Sequence, residues 1–167
     1  MKIIRTSLLA IVLLFFVTSC SKDDSLANDE TNYSIDLNLA QETDWLFADD
    51  ILALINDHRT SIGLSAIERD QQYASAYAVE HTKYMIENNI VNHDNFGLRS
   101  AALKNKGAKH VGENVAYGYE TAENVVYAWL HSPSHKDIIE GDYTHSGFGV
   151  MQNENGRFFF TQLFYSK

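Results

Sequence analysis

The side chains best suited to chemistry in this 167-residue chain are histidines and a glutamate set in short polar segments. Seven histidines are present, but the sequence has no HExxH, no GxSxG, no Gly-rich phosphate loop and only one cysteine. The compact enzyme signatures are therefore missing, and any site must be assembled from distant parts of the chain. Three candidates stand out: His93 in Asn92-His93-Asp94-Asn95-Phe96, Glu113 in Gly112-Glu113-Asn114-Val115-Ala116, and His135 in Ser132-Pro133-Ser134-His135-Lys136. Two neutral imidazoles and a carboxylate form a three-ligand set for Zn²⁺ or another divalent cation, with an open fourth position. Glu113 alternatively accepts hydrogen bonds that orient the histidines, and the blandest reading is a structural polar cluster satisfied internally or by water. A catalytic role would use the same His93, Glu113 and His135 to activate a water, with Ser132 or Ser134 as a nearby nucleophile.

Local signals refine this set. Ser132-Pro133 reads as an N-cap followed by proline at the first helical position, which puts His135 at the third position of a new short helix. A helix N-terminus disfavours imidazolium, so His135 is expected to be neutral with a lone pair to offer. His131 precedes that helix start and is not the i, i+4 partner of His135 that its spacing suggests. A serine that caps a helix is already occupied, which weighs against a hydrolase. His58 and His81 lie on apolar helical stripes and read as hydrogen-bonded core imidazoles, while His110 and His145 flank strands and read as surface or edge residues.

The elements that must position these residues follow from hydrophobic periodicity. Asp44 is a cap candidate for a first helix with Phe47, Ile51, Leu54, Ile55, His58 and Ile62 on one face, stopped by Gly63. A second helix starts near Asp70 and carries Tyr73, Ala74, Tyr77, Ala78, His81, Tyr84 and Met85 on one stripe. A shorter helix spans about 98–105, and another runs from a Thr121 cap to Leu130. Val111, Glu113, Val115 and Tyr117 alternate with smaller residues as in a strand, and 146–153 with 157–165 flank Asn155-Gly156 as a hairpin. The last strand is apolar on nearly every position, so both of its faces are covered. The fold class expected is α+β, a three-layer α-β-α sandwich with a small central antiparallel sheet. The abundance of Phe and Tyr, nine of each, reads as core packing.

The N-terminus carries a different signal. Lys2 and Arg5 precede an apolar run from Leu8 to Val17 that is short for a membrane span, and the run ends at Thr18-Ser19-Cys20. This resembles a lipoprotein signal peptide, residues 1–19, cleaved before a lipidated Cys20; otherwise Cys20 is a small hydrophobe ending an ordinary leader. Residues 20–43, rich in Asp, Asn, Ser and Thr, read as an acidic flexible tether, with Tyr33-Ser34-Ile35-Asp36-Leu37 as a short strand or docking segment. The chain would then be exported and held in the cell envelope by acyl chains, at the outer membrane or cell surface, with the membrane as one partner. Loss of Lys2 and Arg5 leaves 11 basic against 22 acidic residues, a net charge of −11, which argues against nucleic acid and anionic headgroups. Acylated Cys20 leaves no thiol for a disulfide, so the domain relies on its core alone.

The ordered set of motifs resembles the CAP superfamily (SCP/PR-1-like). The matching segments are Asn56 to Arg59 with the downstream Gly63-Leu64, the His93 loop, the Gly-Glu-Asn strand at 112–114, Trp129 to His135, Gly147-Phe148-Gly149, and Thr161-Gln162 in the final aromatic strand. The resemblance covers residues 44–167 and implies an α-β-α sandwich with a cleft around His93, Glu113 and His135. A second cleft acid, found in many eukaryotic members, would fall at about Ser132; this chain has serine there, as bacterial members commonly do, and so departs from the full set of four. The resemblance further implies a secreted, mostly non-enzymatic binding or scaffold module, with apolar-ligand or divalent-cation binding recorded for some members. A small apolar ligand or a protein is the expected partner; a hydrolase and a purely structural envelope protein are the competing readings.

Overall fold

The computed structural model describes residues 34–167. The expected signal peptide 1–19, the expected lipidation site Cys20 and the expected tether as far as Tyr33 lie outside the described residues. Folded structure is already present ahead of the domain start expected at Asp44. Asp36 caps a 3-10 helix, Leu37–Glu42, by accepting from Asn38 N at 2.9 Å, and Ile35 packs against Ala74, Tyr77 and their neighbours. The segment 34–43 is therefore part of the folded unit rather than tether. Thr43 ties it to the sheet, donating to Phe148 O at 2.8 Å and accepting from Val150 N at 3.0 Å.

The elements then run α1 (Trp45–Ser61), β1 (Glu68–Arg69), α2 (Tyr73–Asn88), α3 (Phe96–Asn105), β2 (Val111–Tyr117), α4 (Ala122–Leu130), α5 (Pro133–Ile139), β3 (His145–Gln152) and β4 (Phe158–Tyr165). Asp44 caps α1 by accepting from Phe47 N at 3.1 Å, and Thr121 caps α4 by accepting from Asn124 N at 3.3 Å. Both caps are where the sequence places them. The sheet order is β1-β3-β4-β2, antiparallel except for the two-residue β1, which pairs parallel to β3. The hairpin between β3 and β4 is wider than the Asn-Gly signal implies. Gln152 pairs with Phe158, and the Asn153 side chain accepts from both Asn155 N and Arg157 N across a five-residue turn, with Gly156 at φ +73°.

Three layers result. On one face, Phe47, Ile51 and Ile55 of α1 and Val125, Val126 and Trp129 of α4 cover Phe148, Val150, Phe160 and Phe164. On the other, Ala74, Tyr77 and Ala78 of α2 with Ala102 and Leu103 of α3 cover Leu163 and Tyr165. This is the α-β-α sandwich expected, with β4 buried on both faces. The small residues of α2 let it lie directly on β3. A Cβ at Gly147 would meet Ala74 C at 2.4 Å, and one at Gly149 would meet Ala78 O at 2.4 Å.

Candidate functional site

The site forms at β2, the edge of the sheet away from β1. Alternation along β2 sends neighbouring side chains to opposite layers. Glu113 pairs with Leu163 and faces the α2 and α3 layer, whereas Asn114 pairs with Gln162 and faces the layer of α1, α4 and α5. His93 approaches on the first side and His135 on the second, so the two imidazoles flank the strand that carries the glutamate.

Glu113 is the centre of the polar network. Arg99 Nε lies 2.7 Å from its Oε2 and Arg99 Nη2 lies 2.8 Å from its Oε1, a bidentate pair. His93 Nδ1 stands 2.9 Å from Oε1, which makes Nδ1 the donor nitrogen of that ring. Burial pushes the Glu113 carboxyl up, but the hydrogen bonds from His93 and Arg99 and the Arg99 charge outweigh it, so the group is held below the ordinary carboxylate range. Glu113 accepts from both His93 and Arg99 in this arrangement. Both oxygens are engaged by Arg99, and among the described residues no three His, Asp, Glu or Cys side chains converge on one ion position. The three-ligand set of His93, His135 and Glu113 is thus reduced to two imidazoles standing beside a neutralised carboxylate.

The loop that carries His93 has no regular structure, and side chains of α2 and α3 fix it. His81, buried on α2, holds Asn92 O at 2.9 Å, and Arg99 Nη1 donates to Asp94 O at 2.7 Å. Tyr84 donates to Asp94 Oδ2 at 2.7 Å, and Phe96 N closes a turn on His93 O at 3.0 Å. His93 is left half exposed at the end of this clamp. His81 is the hydrogen-bonded core imidazole its stripe implies, lowered in pKa first by burial and then by the Arg99 charge.

On the other side α5 is pinned at both ends. Arg59, fully buried on α1, donates to Ile139 O at 2.6 Å and Gly141 O at 2.8 Å at the α5 C-terminus, and to Ser65 O at 2.9 Å in the loop after α1. Asn114 Nδ2 holds His135 O at 3.2 Å. Ser132 is at the N-cap position, but its side chain accepts from no helix N–H. Its Oγ instead stands 2.9 Å from His135 Nδ1, and the expectation that capping occupies this hydroxyl is corrected: the imidazole nitrogen three residues on competes for it. The His135 pKa is lowered, as expected, though the causes are burial and then the charge of His93.

The remaining histidines lie elsewhere. His58 is hydrogen-bonded, to Glu140 Oε1 at 2.8 Å, but it is only partly buried and lies at the α5 terminus rather than in the core. His131 is exposed, with its ring stacked on Tyr127 at 3.8 Å, and His110 is exposed beside β2. His145 opens β3 and stacks on Tyr165 at 5.0 Å. Arg99 is the site residue that sequence reasoning missed. The signal was available, because Arg99 shares the i, i+3, i+4 spacing of Ala102 and Leu103 on the buried stripe of α3.

An α-β-α sandwich whose edge strand carries a buried glutamate between two histidines defines a narrow class of domains. Residues 52–164 match the family model of CAP, the cysteine-rich secretory protein family, and the chain belongs to that family. It is 36% identical over 121 residues to YlbC, an uncharacterized membrane protein of Bacillus subtilis, and 30% identical over 122 residues to YkwD of the same organism. These alignments cover 68% and 70% of the chain but only 33% and 46% of the relatives, so the chain spans less than half the length of either. Among solved structures it is similar to an outer surface protein of Borrelia burgdorferi, with a TM-score of 0.65 and 26% identity. That alignment covers 73% of this chain and 93% of the Borrelia chain. An SCP-domain extracellular protein of Bacillus anthracis superposes at a TM-score of 0.61 with 28% identity, over 71% of this chain and 40% of that one.

Proposed function

We propose that this protein is an exported, lipid-anchored CAP module that binds its ligand at the His93/His135 cleft, and that the two imidazoles can hold a divalent cation there. The observation that carries the reading is the orientation of the two rings. Glu113, locked by Arg99, accepts from His93 Nδ1, and Ser132 Oγ is placed to accept from His135 Nδ1. Each ring then keeps its lone pair on Nε2, the arrangement in which an outer partner fixes the tautomer of a metal-ligating histidine. A cation held by two neutral imidazoles keeps several coordination positions for water or for a ligand group, and would supply a local positive charge beside an acidic surface. Export and attachment through Cys20 rest on the N-terminal pattern, and the similarity to an outer surface protein and an extracellular protein supports export.

Calorimetric titration of Zn²⁺ into the metal-stripped protein, beside a folded His93→Ala/His135→Ala variant, tests this. One-to-one binding that the variant loses upholds the reading, and absence of binding in the parent removes the cation from it. Palmitate labelling that Cys20→Ser abolishes tests the anchor.

One contact favours a second reading. Ser132 Oγ at 2.9 Å from His135 Nδ1 is the spacing of a serine and its base, and Ser134 Oγ is 3.5 Å further along. Hydrolysis of peptide or ester substrates that both Ser132→Ala and His135→Ala abolish would replace binding with catalysis.

A further inference from the structure

The cleft has a floor made of backbone. Gly118 N donates to Phe158 O at 2.8 Å and Ser166 N to His110 O at 3.1 Å, so the even-numbered residues of β2 turn their main-chain groups toward β4. In an antiparallel ladder the odd-numbered residues then turn theirs away. Trp129 confirms the phase, because its Nε1 donates to the outward Val115 O at 3.1 Å. The outward N–H and C=O of Glu113, and the N–H of Val115, meet no partner among the described residues. Their exposure agrees with this. Glu113 as a residue is 6% accessible while its side chain is 1% accessible, so what meets solvent is its main chain.

Water satisfies such groups in the free protein, and the partner that engages a donor and an acceptor of an edge strand together, in ladder register, is another extended polypeptide. Elsewhere this sheet is closed off: the outer side of β3 is taken by β1 and by Thr43 and Asp44, whose side chain and amide bond Phe148 and Val150. The outward main-chain groups of β2 around Glu113 are flanked by His93 on one face of the strand and by His135 on the other. From these observations we infer that the ligand of the cleft is an extended peptide segment that adds to the β2 edge at Val111 to Val115. Its main chain pairs with Glu113, and its alternate side chains are presented to His93 on one face and to His135 on the other. Pairing stops at Val115, where the Trp129 indole already occupies the carbonyl. This deepens the cleft-binding reading and rests on it.

The test selects random heptapeptides displayed on phage against the intact protein and measures the recovered peptides by calorimetry. Each is compared with two series carrying N-methyl groups at alternate residues. Main-chain pairing requires one series to lose at least tenfold in affinity while the intervening series binds as before. Amide exchange of Glu113 and Val115 should be fast in the free protein and slow at least tenfold in the complex. Peptides that bind with indifference to both N-methyl series overturn the inference. Failure to recover any peptide from a protein that binds Zn²⁺ overturns it too, and leaves the cleft reading standing. Failure of both peptide and Zn²⁺ removes the two together. A dimer in sedimentation whose formation protects the same amides also overturns it, since the edge is then a contact between copies of this chain.

Discussion

Arg99 and Glu113 hide one another almost completely, with side-chain accessibilities of 4% and 1%, and meet through two parallel hydrogen bonds of 2.7 and 2.8 Å. The pair joins α3 to β2 and sets the orientation of His93 through the oxygen that Arg99 Nη2 also holds. Removing one partner strands a buried charge, whereas replacing both with apolar groups does not. Arg99→Met is therefore expected to destabilise the domain by about 3–5 kcal/mol. Arg99→Met/Glu113→Leu should recover much of that loss. Urea unfolding of the three proteins measures both, and equal losses in the single and double variants would show that the pair is not coupled.

Stability should fall in two steps on the acid side. His81 and His135 have folded pKa values below their ordinary value of 6.5, because burial disfavours their charged forms. The unfolded chain then binds protons first, so stability is full above about pH 6.5 and declines as pH falls through that range. Glu113 is also lowered, from an ordinary 4.5, so its contribution is present above that value and is lost as pH falls through the folded pKa. Midpoints of urea unfolding between pH 8 and pH 3 should show both declines, and His135→Asn should reduce the first while leaving the second.

The close approach of α2 to β3 is equally testable. A methyl at Gly149 would lie 2.4 Å from Ala78 O and 2.6 Å from Thr82 Oγ1, and helix backbone cannot swing aside as a side chain can. Gly149→Ala is expected to cost at least the ~1–3 kcal/mol usual for overpacking. Thermal unfolding checks this, and a midpoint unchanged within a degree would mean that α2 shifts freely on the sheet.

These elements differ in how legible they were. The α1 and α4 caps, the second helix and the mostly apolar β4 follow from side-chain type and spacing, because burial selects for the same periodicity that sequence patterning displays. The 3-10 helix Leu37–Glu42 does not, since its residues contact α2 through a short, weakly patterned segment embedded in a polar stretch. The two-residue β1 is set by tertiary contacts: Asn56 on α1 holds Ile67 by bonds of 2.7 and 3.0 Å to its N–H and C=O. Within the site, His93, Glu113 and His135 were readable as a trio, but their division of labour was not. It depends on Arg99, whose spacing with Ala102 and Leu103 marks it as buried but does not name Glu113 as its partner. Ser132 was placed correctly and assigned the wrong bond, because sequence shows a cap position but not the imidazole that competes for the hydroxyl.

Ser132 also separates the two functional readings. Because its side chain satisfies no helix N–H, Ser132→Ala should cost far less stability than the ~1 kcal/mol typical of removing a capping serine. Its contact with His135 Nδ1 at 2.9 Å predicts a different effect. If the serine orients the ring for a cation, Ser132→Ala should weaken Zn²⁺ binding by about 10-fold or more, as loss of an outer hydrogen-bond partner does. The same variant should shift the His135 imidazole resonances without unfolding α5. Calorimetry and histidine-selective NMR on one protein read both outcomes. Unchanged Zn²⁺ affinity with loss of a hydrolytic activity would assign the hydroxyl to catalysis, because a nucleophile is dispensable for holding the metal while an orienting partner is not.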